Sequence, residues 1–259
     1  MDIPAPAPII DTHCHLDFKD FDIDRDQIIA NCRSNGLVAV VNVGSTLATS
    51  KAAVEMAAQY DIVYACVGCH PHDADSFTPA DLSLLEELCS RPKVVGIGET
   101  GLDYYHNLST VENQRRVFEA HIDLARRKGL PLVVHTREAQ EDTLAVLDAH
   151  KAEKVIIHCF AGDEKFLKAC IDRGYYISFT CNITYKKAAN LRQAAAIAPL
   201  ERICVETDAP YLSPEGRRGK RNEPVYARAA CDQVAVSRGM DKDEAARATT
   251  ANARKFFNI

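Results

Sequence analysis

Six side chains of this chain have the chemistry of metal ligands: His13, His15, Glu99, His135, His158 and Asp208. Neutral imidazoles and carboxylates are common donors to divalent cations. His13 and His15 directly follow the first apolar run and stand two residues apart, so on extended chain they share a face. Glu99, His135 and His158 end later apolar runs, and Glu206 and Asp208 end the last. One histidine at such a position is ordinarily a hydrogen-bonded strand cap. Six ligand-type residues in equivalent positions point instead to one centre, where a cation removes the repulsion between clustered carboxylates.

The number of ligands suggests two ions. His13, His15 and Asp208 can hold one, His135 and His158 the other, and Glu99 can bridge them with its two oxygens. Such pairs sit about 3.5–4 Å apart and clamp the attacking and leaving oxygens of a displacement. Asp208 can take the proton of the attacking water. Glu206 has two readings of equal weight: it orients a water or a ligand, or it belongs to an ion pair inside the fold. Imidazole ligands favour Zn2+ over Mg2+.

An anionic substrate needs cationic or N–H donors beside the ions. Arg137 follows His135 by two residues. Arg217, Arg218, Lys220 and Arg221 form the one dense basic segment, with Asn222 next to them. These could clamp a nucleic-acid backbone, although a charge run is usually a solvated loop. His70 could donate to a phosphate, whereas His72 reads as structural. Tyr104, Tyr105, Tyr185 and Tyr211 could stack on bases, with packing as the default for each. Cys66-Val-Gly-Cys69-His70 fits a haem-attachment pattern, but Cys66 falls in an apolar strand. Cys14 should point away from its neighbouring ligands. His106, His121 and His150 fall in loop or helix, without converging partners.

The positioning elements can be read from patterning. Short apolar runs recur at Ile9–Asp11, Leu37–Val43, Ile62–Val67, Val94–Gly98, Pro131–Val134, Lys154–Ile157, Tyr175–Phe179 and Arg202–Val205. Near-continuous apolar strands suit a parallel sheet covered on both faces. Helical stretches lie between them. Ser109-x-x-Glu112 resembles a capping box, with Val111, Phe118, Ile122 and Ala125 on one stripe, and Gly129 ends that helix. Thr78 to Asp81 precedes a helix carrying Leu82, Leu85 and Leu88. After Pro224 two more helices run to about Phe257. Eight strands alternating with helices predict an α/β fold, a single-domain (β/α)8 TIM barrel over 1–259 with extra C-terminal helices. No G-x-G-x-x-G follows the first strand, which disfavours a doubly wound sheet. Residues 4–8 read as an extended lead-in arm.

Composition narrows the classes. The 259 residues are 47% hydrophobic and 26% charged, which excludes a disordered or fibrous chain. Thirty-one basic against 36 acidic residues give a net charge of −5, so no basic platform covers the whole surface. The first eight residues lack the pattern of a signal peptide, and no apolar run reaches the roughly 18 residues of a spanning helix. The expectation is a cytoplasmic protein with no membrane association, whose ten cysteines are free thiols acting mostly as small buried apolar groups. Oligomeric state is open, and a monomer is compatible.

The sequence resembles the TatD family of metal-dependent deoxyribonucleases, within the amidohydrolase-like barrels. The matching stretches are Asp11-Thr-His-Cys-His-Leu-Asp17, Val67-Gly-Cys-His-Pro-His-Asp73, Gly96-Ile-Gly-Glu-Thr-Gly-Leu-Asp-Tyr104, Pro131-Leu-Val-Val-His-Thr-Arg-Glu-Ala139, His158-Cys-Phe-Ala-Gly162, Val205-Glu-Thr-Asp-Ala-Pro-Tyr-Leu-Ser-Pro214 and Gly219-Lys-Arg-Asn-Glu-Pro224. They cover essentially the whole chain. The resemblance implies a TIM barrel, divalent ions at the six positions above, Mg2+-supported activity, and phosphodiester hydrolysis in DNA, often from the 3′ end. Ala161 stands where the family usually has Ser, and Cys181 where it usually has Gly. Several related hydrolases bridge their metals with a modified lysine on the fourth strand. Here Glu99 occupies that strand, and the nearest lysine, Lys93, lies at its start.

The leading expectation is a two-metal phosphodiesterase (Mg2+, Mn2+ or Zn2+) acting 3′ to 5′ on single-stranded DNA ends, with Asp208, Glu99 and Glu206 in the catalytic set and His70, Arg137, Arg217, Arg218, Lys220 and Asn222 on the substrate. Two rivals are a deacylase or amidohydrolase acting on aminoacyl-tRNA or a small amide or ester, and a metal-binding scaffold that has lost catalysis.

Overall fold

The computed structural model describes residues 6–259, so residues 4 and 5 of the expected lead-in arm, like Met1 to Ile3, lie outside the described residues. Eight strands form one sheet in sequence order: β1 (Ile9–Cys14), β2 (Leu37–Val43), β3 (Val63–Val67), β4 (Val94–Asp103), β5 (Leu132–Arg137), β6 (Val155–Ile157), β7 (Tyr176–Phe179) and β8 (Ile203–Val205). Every neighbouring pair is parallel. Between and after them run α1 (Arg25–Ser34), α2 (Leu47–Gln59), α3 (Pro79–Leu88), α4 (Val111–Lys128), α5 (Gln140–Ala149), α6 (Glu164–Asp172), α7 (Ala189–Ile197), α8 (Ala227–Arg238) and α9 (Lys242–Phe257). This is the (β/α)8 barrel that the patterning predicts; of the two helices after β8, α8 completes the eighth unit and α9 alone is extra to the barrel.

Three strands outrun their apolar runs. β1 continues past Asp11 to Cys14, β4 past Gly98 to Asp103, and β5 past Val134 to Arg137. The backbone ladder persists there while the side chains change from core to ligand types, so hydrophobicity alone stops short. Glu99 and His135 therefore lie inside their strands, and His13 lies inside β1.

The start of α4 also differs from expectation. Its N-cap is Thr110, whose hydroxyl accepts from the Asn113 N–H. Ser109 instead donates to the His72 carbonyl (2.7 Å) and accepts from the Asp75 N–H (3.1 Å). Val111 is exposed, and the buried stripe runs through Val117, Phe118, Ile122 and Ala125. Gly129 ends the helix at φ +66°, where a left-handed residue is needed. Thr78 caps α3 reciprocally with Asp81.

Two apolar clusters result. One takes a residue from every strand, including Ile10, Val41, Cys66, Val95, Val133, Ile156, Tyr176 and Cys204, and is stoppered by Phe256 and Phe257 of α9. It fills the lower barrel. The other packs the opposite strand faces against the helices. All ten cysteines are unpaired, eight of them buried. Among the described residues no helix is long and apolar enough to cross a membrane.

The ring closes through backbone. His15 N–H donates to Ala209 O (2.8 Å), and Asp208 N–H donates to His13 O (2.8 Å). This seam ties the segment bearing the first two histidines to the one bearing Asp208.

Candidate metal centre

All six expected ligands meet at the carboxyl ends of the strands, around Glu99. One oxygen, Oε2, faces His13 Nε2 (3.3 Å) and His15 Nε2 (3.7 Å). Asp208 Oδ1 lies 3.8 and 3.5 Å from the same two nitrogens. The other oxygen, Oε1, faces His135 Nδ1 (3.0 Å), His158 Nε2 (3.4 Å) and His70 Nε2 (3.4 Å). His70 thus joins the second donor group.

Local backbone explains the convergence. A register shift between Asp11 and Cys14 sets His13 and His15 on a common point, their Nε2 atoms 3.3 Å apart. Cys14 turns away, its thiol towards Val41 O. Gly98 (φ +144°) and Gly101 (φ +140°) flank Glu99; a Cβ on Gly101 would collide with the His135 carbonyl. Asp208 (φ +56°) and Cys159 (φ +46°) occupy left-handed conformations that cost a non-glycine residue about 1–3 kcal/mol. Such conformations cluster where function dictates side-chain aim.

The hydrogen bonds test whether these rings suit a metal. His15 Nδ1–H donates to Val43 O (2.8 Å), which leaves Nε2 as a bare lone pair aimed at carboxylate oxygens. His158 Nδ1–H donates to Glu206 Oε1 (2.8 Å), so in the neutral ring Nε2 carries the lone pair, aimed at Glu99. Lone pair against carboxylate is repulsive unless a proton or a metal ion lies between them, and a metal ion serves several of these pairs at once. The donor set fits divalent ions, one group on each Glu99 oxygen.

The ionisation equilibria follow the same geometry. Burial alone would raise the Glu99 carboxyl, but His70, His158 and His13 hold it well below the usual carboxylate range. Burial opposes charge on His158, yet Glu206 and Glu99 push it up to about 10. Burial lowers His70 to about 4 against the pull of Glu99. Burial and the neighbouring His158 lower His13.

Glu206 lies behind His158 and does not line the cavity. It is 1% exposed; Oε1 accepts from His158 and from Cys159 N–H (2.8 Å), and Oε2 accepts from Ser178 Oγ (2.5 Å). It is inside the barrel and also bonded to His158, one of the expected ligands, so its two readings are compatible. Asp11, unremarked in the sequence, similarly accepts from His13 N–H (3.2 Å) and from Thr207 N–H (2.9 Å) and Oγ1 (2.6 Å).

The expectation that His106 lacks partners is wrong. His106 Nδ1, His72 Nε2 and His135 Nε2 all lie 2.9–3.0 Å from Asp103 Oδ2. Asp103 lies beyond the apolar run of β4, where two-residue periodicity from Glu99 through Gly101 reaches it. His121 is buried inside α4 and His150 faces Asp123, away from the centre.

The centre opens into a cavity of about 740 Å3 whose wall includes Phe18, Arg137, Cys159, Ala161, Asn182 and Tyr211. Arg137 lies 4.0 Å above the Tyr105 ring, and both are exposed. Tyr211 is exposed and stands edge-on to Phe18 and His15. The Tyr104 hydroxyl donates to Asp142 and that of Tyr185 to Ser213 O.

The basic loop does not line this cavity. Arg221 is paired with Asp24 (2.6 Å), Arg217 stacks on Tyr226 (4.7 Å) and Arg218 on Tyr185 (4.5 Å). Lys220 is exposed on the outer loop. Asn222 is fully buried and donates to Thr207 O (2.9 Å), so its amide braces the segment behind Asp208 and cannot reach a ligand. Lys93 donates to Ala57, Tyr60 and Asp61 carbonyls below the barrel, far from any bridging role. Cys181 is buried, its thiol towards Tyr226 O.

The family described as TatD related DNase matches residues 10–258. The uncharacterized metal-dependent hydrolase YabD of Bacillus subtilis is 38% identical, covering 97% of this chain and 99% of its own length. The 3'-5' ssDNA/RNA exonuclease TatD of Salmonella typhimurium is 34% identical, with coverage of 97% and 99%. Among solved structures, the TatD homologue YJJV of Escherichia coli K12 superposes with a TM-score of 0.92 at 28% identity, over 97% of this chain and 98% of that one.

Proposed function

The chain belongs to the TatD-related DNase family of metal-dependent hydrolases, and from that premise we propose that it removes nucleotides from the 3′ ends of single-stranded DNA with two divalent ions. The observation that carries this reading is the split of donors over the two Glu99 oxygens, with an open, aromatic- and arginine-lined cavity in front of them. A relative named as a 3'-5' ssDNA/RNA exonuclease supports it.

His13, His15, Glu99 and Asp208 would hold one ion, and Glu99, His135 and His158 the other, with His70 beside them. When bound, the ions supply Lewis-acid activation of water and charge neutralisation at the scissile phosphate. The chain's own groups do the rest. Glu206, fixed by Ser178, holds His158 with its Nε2 facing inwards. Asp208, the more open of the two central carboxylates, takes the proton of the attacking water. Arg137 binds a phosphate oxygen, held in place by the Tyr105 ring. Tyr211 offers a face to the terminal base. Arg218 and Lys220 lie outside the cavity, where a longer strand would pass.

The test is nucleotide release from 5′-labelled single-stranded DNA and RNA under Mg2+ and Mn2+. Stepwise shortening from the 3′ end by the unaltered protein, abolished in Glu99→Ala, is the expected result. No release under either ion, or equal release by Glu99→Ala, refutes the reading. Turnover of ester or amide substrates in place of DNA would turn it to a deacylase.

A further inference from the structure

We propose that Asp103, His72 and His106 form a third divalent-cation site on the wall of the mouth, one imidazole ring away from the centre just described. The Asp103 carboxylate is buried, but its two oxygens have different tasks. Oδ1 accepts the backbone N–H groups of Tyr105 (3.0 Å) and His106 (2.9 Å). Oδ2 faces three ring nitrogens: His72 Nε2 (2.9 Å), His106 Nδ1 (2.9 Å) and His135 Nε2 (3.0 Å). One carboxylate oxygen has two lone pairs. His135 takes one through Nε2–H, since its Nδ1 is the atom that faces Glu99. Two imidazoles then compete for what is left. A shared cation satisfies both rings and the oxygen together. Donor atoms about 3 Å apart have the spacing of neighbours on an ion with bonds of about 2.0–2.2 Å.

The cluster is built rather than incidental. The buried Gln114 side chain clamps Asp103 from both sides, accepting from its N–H (2.8 Å) and donating to its carbonyl (3.1 Å). Ser109 donates to the His72 carbonyl (2.7 Å), which ties the turn carrying His72 to the segment before α4. The side chains of His72 and His106 are 26% and 40% exposed, and Asp103 is inaccessible. The donors therefore face outwards into the mouth, where water completes the shell. Two imidazoles and one carboxylate with open positions suit Zn2+, Mn2+ or Fe2+ better than Mg2+.

The experiment counts ions in chelator-stripped protein dialysed against micromolar free Zn2+, by elemental analysis. A parallel Co2+ titration is followed by visible absorption. The unaltered chain should retain three Zn2+, and His72→Ala/His106→Ala two, with loss of one Co2+ absorption component. Glu99→Ala should keep a single ion. If the double variant does not fold, His106→Gln at the exposed position should weaken the third ion by at least about tenfold. Retention of only two ions by the unaltered chain, equal retention by the double variant, undiminished binding in His106→Gln, or an ion-free Glu99→Ala protein would each overturn the site. Three bound ions without nuclease activity would leave it standing and refute only the proposed function.

Discussion

At the floor of the barrel every strand turns an apolar side chain inwards, from Ile10 and Val41 round to Cys204, whereas a few residues on β1, β4 and β5 turn in His13, Glu99 and His135. Both ends have a hollow. The one at the floor is the larger, about 840 Å3 against 740 Å3. It is walled by Tyr64, Tyr176, Phe256 and Phe257, and the nearby Lys93 ammonium is occupied by three backbone carbonyls. No ring nitrogens converge there among the described residues. Volume therefore does not identify the reactive end. Converging lone pairs do, and they are affordable only because the floor supplies the packing that the mouth gives up.

If that division of labour is right, single substitutions at the two ends should move different observables. The largest effect is expected at Glu99→Ala, which removes both oxygens shared by the donor groups. Hydrolysis should fall by about a thousandfold or more, with metal content down by elemental analysis and a thermal unfolding midpoint that is not lowered in chelator. Phe257→Ala at the floor should do the reverse. It should cost about 3–5 kcal/mol by urea unfolding, while specific activity per folded molecule stays near that of the unaltered chain. Activity lost in proportion to stability would break the comparison.

Glu206→Gln sharpens it at the boundary. The amide keeps an acceptor for His158 but removes the charge, so activity and ion affinity should fall by about 10–100-fold. The kcat loss should exceed any change in KM, because no substrate contact is removed.

The protonation state of His158 gives a pH test. In metal-free protein its pKa is raised to about 10 from 6.5. The resulting stability is fully present below about pH 6.5 and is lost as pH rises through about 10. Ion binding needs the neutral ring, so affinity should increase with pH and binding at neutral pH should release protons. Calorimetry in buffers of different ionisation enthalpy measures this, and buffer-independent heats would contradict it. The smallest effect is expected at Arg221→Ala. Its pairing with Asp24 is a partly exposed ion pair worth about 0–1 kcal/mol. Its loss should leave KM for short oligonucleotides unchanged.

The barrel could be read from eight apolar runs because strands buried on both faces leave little choice of residue. The convergence of the six expected donors could be read because each followed such a run. What escaped was polar and inside the strands. Asp103 and Asp11 act through hydrogen bonds to distant segments, and no local pattern marks those. The basic loop misled for the opposite reason: charge density in sequence does not reveal that Arg221 already has Asp24, or that Asn222 is buried against Thr207 O. The cap of α4 slipped by one residue because Ser109 had a competing partner in the His72 carbonyl.

The seam between β1 and β8 sets the order of assembly. His13 and Asp208 exchange a backbone hydrogen bond across nearly two hundred residues of chain. A nascent polypeptide with only its first half translated would carry His13, His15 and Glu99 but neither Asp208 nor the closed ring around them. Loading of the ion shared by His13, His15 and Asp208 must then come after ring closure, and that ion would act as a rivet that resists reopening of the seam. Cation depletion should accordingly loosen the first and last strands before the middle ones, a sequence that amide exchange can follow strand by strand.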